Sequence, residues 1–368
     1  MWFLFDRNLG CRVRPNKMSG ARHILGYAQT LRGGGVERAL LRLAGEWHGL
    51  GRRVTLVIGD ATGPLRRELP AGVEVISLGA DDYAALRALP RYAKAVQPDV
   101  IFCPGSHYTG VAAWTRWRLG RSCPPIVGKI SNAVDRPDFG KLMTLVHATW
   151  LRQHPRFLDW VVAMSDASAA QLARTMRLDV KQIAVIPNPP AQPLACAPVP
   201  GLPPRYILGV GRLVPQKRWD RLINAIPRLR ERVALVLLGE GECRAALEAQ
   251  AKACGIELFL PGHVADPIGA MSRATMVALP SEFEGVPGVL SEALSVGTPV
   301  VATDCSPAVA EIISSPSLGT IVPRDDAAAL VAALNHWLGD VIRPQPVSPP
   351  GTDSAKRYLK LFDSLTRA

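Results

Sequence analysis

Ser281-Glu282-Phe283-Glu284-Gly285-Val286-Pro287-Gly288-Val289-Leu290-Ser291-Glu292-Ala293-Leu294 decides how this chain is read. An apolar run, Met276 to Leu279, enters it, and Pro280-Ser281 stops that run. Glu284-Gly285 makes a turn at which glycine lets a ligand come close to the backbone. Pro287 suits the first turn of a helix, where its missing N–H costs nothing. Leu290, Ala293 and Leu294 then recur on one helical face. The stretch is a strand, a turn and a helix in succession, the repeating unit of an α/β fold.

Two carboxylates give the stretch its chemistry. Glu284 lies on the loop, and Glu292 lies in the helix, five residues past Pro287 and so roughly 7.5 Å up the axis. The backbone N–H groups of Val286, Gly288 and Val289 stand between them, and the start of a helix favours an anion. A ligand with phosphate in its middle and hydroxyls at both ends suits such a site, as a nucleotide sugar does. Each glutamate can accept hydrogen bonds from paired hydroxyls, one on the sugar and one on the ribose. Taken alone, the stretch is equally compatible with solvated charges around an ordinary strand–turn–helix.

The flanking sequence adds to this. Glu284-x7-Glu292 followed by Gly297-Thr298-Pro299-Val300-Val301-Ala302-Thr303-Asp304 resembles the C-terminal domain of retaining glycosyltransferases of the family-four type, the group 1 glycosyl transferases, which have the GT-B fold. Gly211-Arg212-Leu213-x3-Lys217 resembles that family's diphosphate-binding segment. Gly33-Gly34-Gly35-Val36-Glu37-Arg38 resembles its N-terminal glycine loop, and Ile186-Pro187-Asn188-Pro189 its end-of-first-domain motif. The four span about Ile24 to Val331 in the family's order. The resemblance implies two α/β, Rossmann-like domains facing each other across a cleft. It implies a nucleotide-diphosphate sugar as donor substrate, with no bound cofactor. Arg212, Lys217 and Glu284 would then be catalytic. Gly34, Gly35, Val264, Gly285, Val286, Gly288, Val289 and Glu292 would hold the donor. In many relatives a histidine follows the strand equivalent to Pro125–Ile130; Ser131 and Asn132 stand here instead. The acceptor-side candidates are therefore Ser131, Asn132 and His107, the last on the loop Pro104-Gly105-Ser106-His107.

Composition sets outer bounds. The chain has 368 residues, enough for two domains, and 48% of them are hydrophobic. Its 43 basic and 31 acidic residues give a net charge of +12, a balance suited to nucleic acid, an anionic membrane face or a phosphorylated substrate. No basic stripe or RNA-binding aromatic motif supports nucleic acid as the partner. Cys11, Cys103, Cys123, Cys196, Cys243, Cys254 and Cys305 are odd in number, and none has metal-ligand spacing, so no metal site is expected. Reduced thiols fit a cytoplasmic protein, here with an expected place at the inner membrane face. No apolar run reaches the ~18 residues of a transmembrane helix. Trp2-Phe3-Leu4-Phe5 is too short for a signal peptide, and basic residues follow it rather than precede it. Met1–Lys17 reads as a disordered or misassigned leader.

In chain order, residues 1–20 form that leader and 21–190 the N-terminal, acceptor-binding domain. His23–Leu31 is its first strand. Gly33-Gly34-Gly35 turns into a helix over Val36–Leu50, an anion site at the tip of an open sheet. Strands follow at Arg53–Ile58, Val73–Leu78, Asp99–Cys103, Pro125–Ile130, Trp160–Met164 and Ile183–Ile186. Helices are expected over Asp82–Val96, Val111–Gly120 and Ala167–Met176, the last capped by Ser165 or Asp166. On Val111–Gly120 the spacing places Trp114 and Trp117 on one stripe, turned to the core, with Arg116, Arg118 and Arg121 outside. Residues 133–159 form a basic face that suits a phosphorylated or lipid-linked acceptor. Residues 191–204 are a proline-rich linker. Residues 205–345 form the nucleotide-sugar domain, with strands at Arg205–Gly209, Val233–Leu238, Ile256–Leu260, Met276–Leu279 and Pro299–Thr303, and a helix over Asp325–Trp337. Arg212 offers a planar fork and Lys217 a point charge, a match for diphosphate. The backbone of Gly262-His263-Val264 would lie against the nucleobase. Residues 346–368 hold a last helix, Ser354–Leu365, which by resemblance crosses back to the first domain.

The expected reaction moves a hexose from a nucleotide diphosphate to an acceptor hydroxyl in cell-envelope polysaccharide, lipopolysaccharide or lipid-linked glycan assembly. Retention of configuration is implied by the resemblance. Rival readings are a sugar-nucleotide epimerase or hydrolase on the same fold, a non-catalytic sugar-nucleotide binder, and a basic nucleic-acid-binding protein.

Overall fold

The computed structural model of the chain describes residues 20–131, 133, 138–191, 198–264 and 266–366. Alternation of apolar runs with amphipathic stretches produces two separate parallel sheets. The first unit contains β1 (His23–Thr30), α1 (Gly35–Gly49), β2 (Arg53–Asp60), β3 (Glu74–Ser77), α2 (Leu89–Val96), β4 (Val100–Cys103), α3 (Thr109–Leu119), β5 (Ile126–Lys129), α4 (Lys141–Gln153), β6 (Trp160–Ala163), α5 (Asp166–Met176) and β7 (Ile183–Val185). Its strand order is β3-β2-β1-β4-β5-β6-β7. The second contains β8 (Tyr206–Val210), α6 (Trp219–Ala225), β9 (Ala234–Leu238), α7 (Arg244–Ala253), β10 (Leu258–Gly262), α8 (Ile268–Arg273), β11 (Met276–Leu279), α9 (Gly288–Ser295), β12 (Val300–Thr303), α10 (Ala308–Ile312), β13 (Gly319–Val322) and α11 (Ala327–Leu338). Its order is β10-β9-β8-β11-β12-β13. The last helix is α12 (Ser354–Leu365).

The central strands read as unbroken apolar runs because helices cover both faces. Val100–Cys103 and Ala234–Leu238 are buried at every position. Strand order reverses between β1 and β4 in the first sheet and between β8 and β11 in the second. Such switch points open a crevice at the strands' C-terminal ends. The loops leaving β1, β8 and β11 carry the glycine turn, Gly211-Arg212 and Glu284, and the last leads into α9, which holds Glu292.

Each sheet has its own core. In the first, Trp47 of α1 meets Phe102 of β4 edge to face at 5.2 Å. Tyr358 and Phe362 of α12 complete that cluster, at 5.8 and 5.3 Å from Trp47. Asp363 then accepts from Ala21 N at 2.9 Å and pairs with Arg52 at 3.0 Å. The chain's end is thus part of the first core, although the second sheet intervenes in sequence.

Several local readings need correction. The helix over Asp82–Val96 is split: Tyr83–Ala88 is a 3-10 turn, and the α-helix starts at Leu89, with Pro90 in its first turn where no N–H is required. Ser165, rather than Asp166, caps α5. Trp114 and Trp117 do not form a core stripe: Trp117 is 69% exposed, and the Arg118 guanidinium lies over both rings, 5.6 and 5.8 Å from their centroids. Helices α4, α7, α8 and α10 and strand β13 are additions to the sequence reading. Met1–Lys17, Asn132 and residues 192–197 of the proline-rich linker lie outside the described residues.

Candidate active site

The glutamate loop is built by its neighbours. After β11, Glu282 N donates to Gln216 O at 2.8 Å, and Gln216 Nε2 donates to Phe283 O at 2.8 Å. Glu284 N donates to Cys305 O at 2.9 Å, and the Ser306 hydroxyl bonds Gly285 O. The loop after β8 and the segment Asp304–Ser306 therefore hold it from both sides. Lys217 Nζ reaches Glu284 Oε1 at 2.7 Å, and Ser281 Oγ donates to the same oxygen at 2.7 Å. The two side chains are only 15% and 12% exposed. Helix α9 then begins after Pro287 with no side chain capping it.

A second uncapped helix start comes from the other domain. Gly34 precedes α1 with φ at 144°, and a Cβ there would sit 2.2 Å from Glu37 Oε2. Only glycine fits this turn without displacing Glu37. Glu37 in turn accepts from the Tyr108 hydroxyl at 2.7 Å.

Both helix starts line one cavity of about 1210 Å³ between the two sheets. Gly34, Gly35, Arg212, Val264, Val286, Gly288, Val289 and Glu292 all contribute to its wall. Lys217, Glu284 and Gly285 do not. Lys217 and Glu284 stand behind Gly211, where an added Cβ would meet Lys217 Cε at 3.1 Å. Gly239, which also lines the cavity, has φ 150° and packs so closely that a Cβ would lie 2.0 Å from Gly211 O. At Gly211 and Gly239 the wall is thus bare backbone.

Arg32, Arg38, Arg42, Arg212 and Arg357 line the cavity together with Glu68, Asp166, Glu240, Asp266, Glu292 and Glu311, and each uncapped helix start adds a partial positive charge. The Arg212 guanidinium has no ion-pair partner among the described residues. Arg38 Nε pairs with Glu68 at 3.2 Å, and its Nη2 meets His263 Nε2 across the cleft at 3.1 Å. Arg42 Nη1 donates to Pro189 O at 3.4 Å. Burial raises the Glu292 carboxyl's pKa above the usual range; Arg42 and Arg38 oppose the rise, and Asp266 adds to it. Burial likewise lowers Arg42, and Glu292 counters it.

Of the acceptor-side candidates, His107 and Ser131 lie past the tips of β4 and β5, outside the cavity's wall. His107 sits 3.9 Å from Glu37 Oε1 and against the Tyr108 ring at 3.8 Å. Burial lowers its pKa, with Glu37 opposing. Ser131 N donates to Ser106 Oγ at 3.0 Å, while Ser131 Oγ is buried without a partner among the described residues. Asn132 lies outside those residues.

Sequence reasoning missed three side chains here. Arg38 and Arg42 follow the glycine turn four apart, so they share a face of α1. Lys129 is a fully buried cation in an otherwise apolar strand. Its Nζ donates to Asn188 Oδ1 at 2.9 Å, and Asn188 lines the cavity. Burial brings Lys129 from 10.5 to about 8, opposed by Glu37. A lysine inside an apolar strand was the available signal.

Two family descriptions match the chain in succession: a glycosyl transferase 4-like domain over residues 34–189, and glycosyl transferases group 1 over residues 204–340. The chain belongs to the group 1 glycosyltransferases. The fold is that of solved GT-B proteins. HepE of Anabaena, solved with UDP and glucose, superposes with a TM-score of 0.71 at 19% identity, over 94% of this chain and 97% of that one. Sucrose-phosphate synthase of Thermosynechococcus elongatus gives 0.72 at 18% identity, over 94% and 96%. Among curated glycosyltransferases, the Campylobacter jejuni N-acetylgalactosamine-N,N'-diacetylbacillosaminyl-diphospho-undecaprenol 4-alpha-N-acetylgalactosaminyltransferase is 31% identical over 163 residues, 44% of each chain. The lipopolysaccharide core biosynthesis mannosyltransferase LpcC of Rhizobium leguminosarum is 29% identical over 245 residues, 61% of this chain and 68% of that one. The chain spans less than half the length of several curated relatives it matches.

Proposed function

We propose that this group 1 glycosyltransferase moves a hexose from a nucleotide-diphosphate sugar to a hydroxyl of a glycan or lipid-linked acceptor in cell-envelope glycan assembly, on the cytoplasmic side of the membrane. The observation that carries the reading is the cavity between the two sheets whose wall holds two uncapped helix starts, Arg212 and Glu292 together. Relatives whose names specify a diphospho-undecaprenol glycan and a lipopolysaccharide core support the acceptor class. HepE, solved with UDP and glucose, supports the donor class.

In this reading, the diphosphate lies against the amides of Val286, Gly288 and Val289 with Arg212 beside it. These groups stabilise charge as the leaving group departs. Glu292 accepts from the ribose hydroxyls. Glu284 uses Oε1 to bind Lys217 and Ser281 behind the wall at Gly211, so it fixes Lys217 rather than reaching the sugar from the cavity. Lys217 holds Glu284 in place and adds positive charge behind the bare wall at Gly211. The bond from the anomeric carbon to the phosphate oxygen breaks, and the acceptor oxygen bonds to that carbon on the same face. The acceptor's proton passes to the departing phosphate oxygen, and configuration is retained.

A thermal-shift panel of nucleotide sugars tests the donor, because a ligand that binds only the folded form raises its apparent stability. One nucleotide sugar should raise the melting temperature and then yield sugar on the acceptor, with turnover unchanged by chelators. Free sugar released without acceptor would instead make the chain a hydrolase. Failure of every nucleotide sugar to stabilise it would overturn the proposal.

A further inference from the structure

Helix α4 presents its apolar face to solvent. Residues 141–146 are all exposed, and Leu151 is the helix's one buried position among the described residues. Leu142 is 73% exposed, Leu145 61%, Val146 51% and Met143 50%, with Trp150 at 37%. At 3.6 residues per turn these five side chains fall within an arc of roughly 160°, opposite Leu151. An apolar stripe of this kind normally faces a core. Here it is turned outward, and a concentrated exposed patch marks a contact surface.

We propose that this face of α4 docks on an anionic membrane surface. Charge supports a lipid partner. No acidic residue stands between Asp138 and Asp159, whereas Lys141 and Arg152 border the stripe on one side and Arg156 follows it. A basic-edged apolar helix lies in the plane of an anionic interface. The 13 residues of α4 are too few to cross a bilayer. A second copy on the same face would bring two identical basic edges into one interface, because a two-fold contact uses the same patch on both subunits, and like charges there oppose association.

The position also fits. α4 follows the tip of β5, where Ser131 stands, and Trp150 Nε1 donates to Thr109 Oγ1 at the first residue of α3, 3.3 Å away. The last turn of α4 therefore sits beside the start of α3, next to the His107 loop. A lipid-linked acceptor could keep its lipid in the bilayer while its head reaches the cavity. That purpose rests on the proposed transfer reaction; the contact itself does not.

The test is co-sedimentation of the full chain with vesicles of phosphatidylglycerol and phosphatidylcholine in equal parts, and with phosphatidylcholine alone. The wild type should pellet with the anionic vesicles, less so at high salt. The double variant Leu142→Glu/Leu145→Glu should bind about tenfold or more weakly, with the same melting temperature and the same stabilisation by nucleotide. Wild type left in the supernatant, or a variant that pellets as well, would overturn the proposal. So would a dimer in light scattering that the variant dissociates and that ignores vesicles, since the face would then belong to a second copy. Vesicle binding without any sugar transfer would count against the proposed reaction and leave this surface standing.

Discussion

Replacing Lys217 by methionine keeps the side chain's stem and removes its charge. Glu284 would then keep only the Ser281 hydroxyl on Oε1, at 12% exposure. Breaking a fully buried pair costs about 3–5 kcal/mol, against about 0–1 kcal/mol for an exposed one. The remaining hydroxyl and slight exposure place Lys217→Met nearer the middle, at about 2 kcal/mol. In the unit built on the second sheet, that corresponds to a melting shift of about 4–8 °C. Lys217→Met/Glu284→Gln removes the stranded charge as well, so it should cost about 1 kcal/mol less than Lys217→Met alone. Scanning calorimetry without ligand reads this coupling. Turnover is a separate readout: the single variant should lose about 100- to 1000-fold in kcat, the range of a lost charge-stabilising group, with acceptor KM little changed. Strictly additive stabilities would refute the pair. Near-normal turnover would remove Lys217 from the reaction.

Two other perturbations follow from burial. Glu292→Gln loses charge-assisted bonds to ribose and should weaken nucleotide binding by about 10- to 100-fold, the equivalent of about 1.5–3 kcal/mol. Because the ligand takes the ionised carboxylate, wild-type affinity should fall as pH drops through the raised Glu292 pKa, at higher pH than for an ordinary glutamate; calorimetric titration should find Glu292→Gln flat over that interval, and a matching slope would exclude Glu292. For Lys129, the folded pKa of about 8 lies below its ordinary 10.5, so the unfolded chain binds more protons between them. Wild-type stability should therefore rise across that interval by about 3 kcal/mol, and Lys129→Met should lack the rise in urea unfolding; parallel profiles would argue against the buried cation.

Much of the fold was legible because punctuation and periodicity agreed. Met276–Leu279 and Ser354–Leu365 match the observed bounds, the first stopped by Pro280 and the second by its apolar spacing. α8 and α10 were not, because six and five residues carry too little periodicity to register. α4 was missed for another reason. Its apolar residues have helical spacing, but they face solvent, and the segment read as a basic face. Trp117 failed in the mirror sense: an aromatic at core spacing lies outside under Arg118. At the site, Arg212 was visible on its loop and Glu292 in its helix, and the structure sets both in one cavity wall. Lys217 and Glu284 were also visible, but their mutual pairing was not, since nothing local links residues from separate β–α units. Lys129 and Asn188, 59 positions apart, show the same limit. A single sequence shows which charges are unusual; packing decides which ones meet.

A crystal structure of the chain with the nucleoside diphosphate chosen by the thermal-shift panel tests the site most directly. The diphosphate should lie within hydrogen-bonding reach of Arg212 and the Val286–Val289 amides, with ribose hydroxyls on the Glu292 carboxylate. A nucleotide bound elsewhere, or Glu292 left without a ligand contact, would contradict the account.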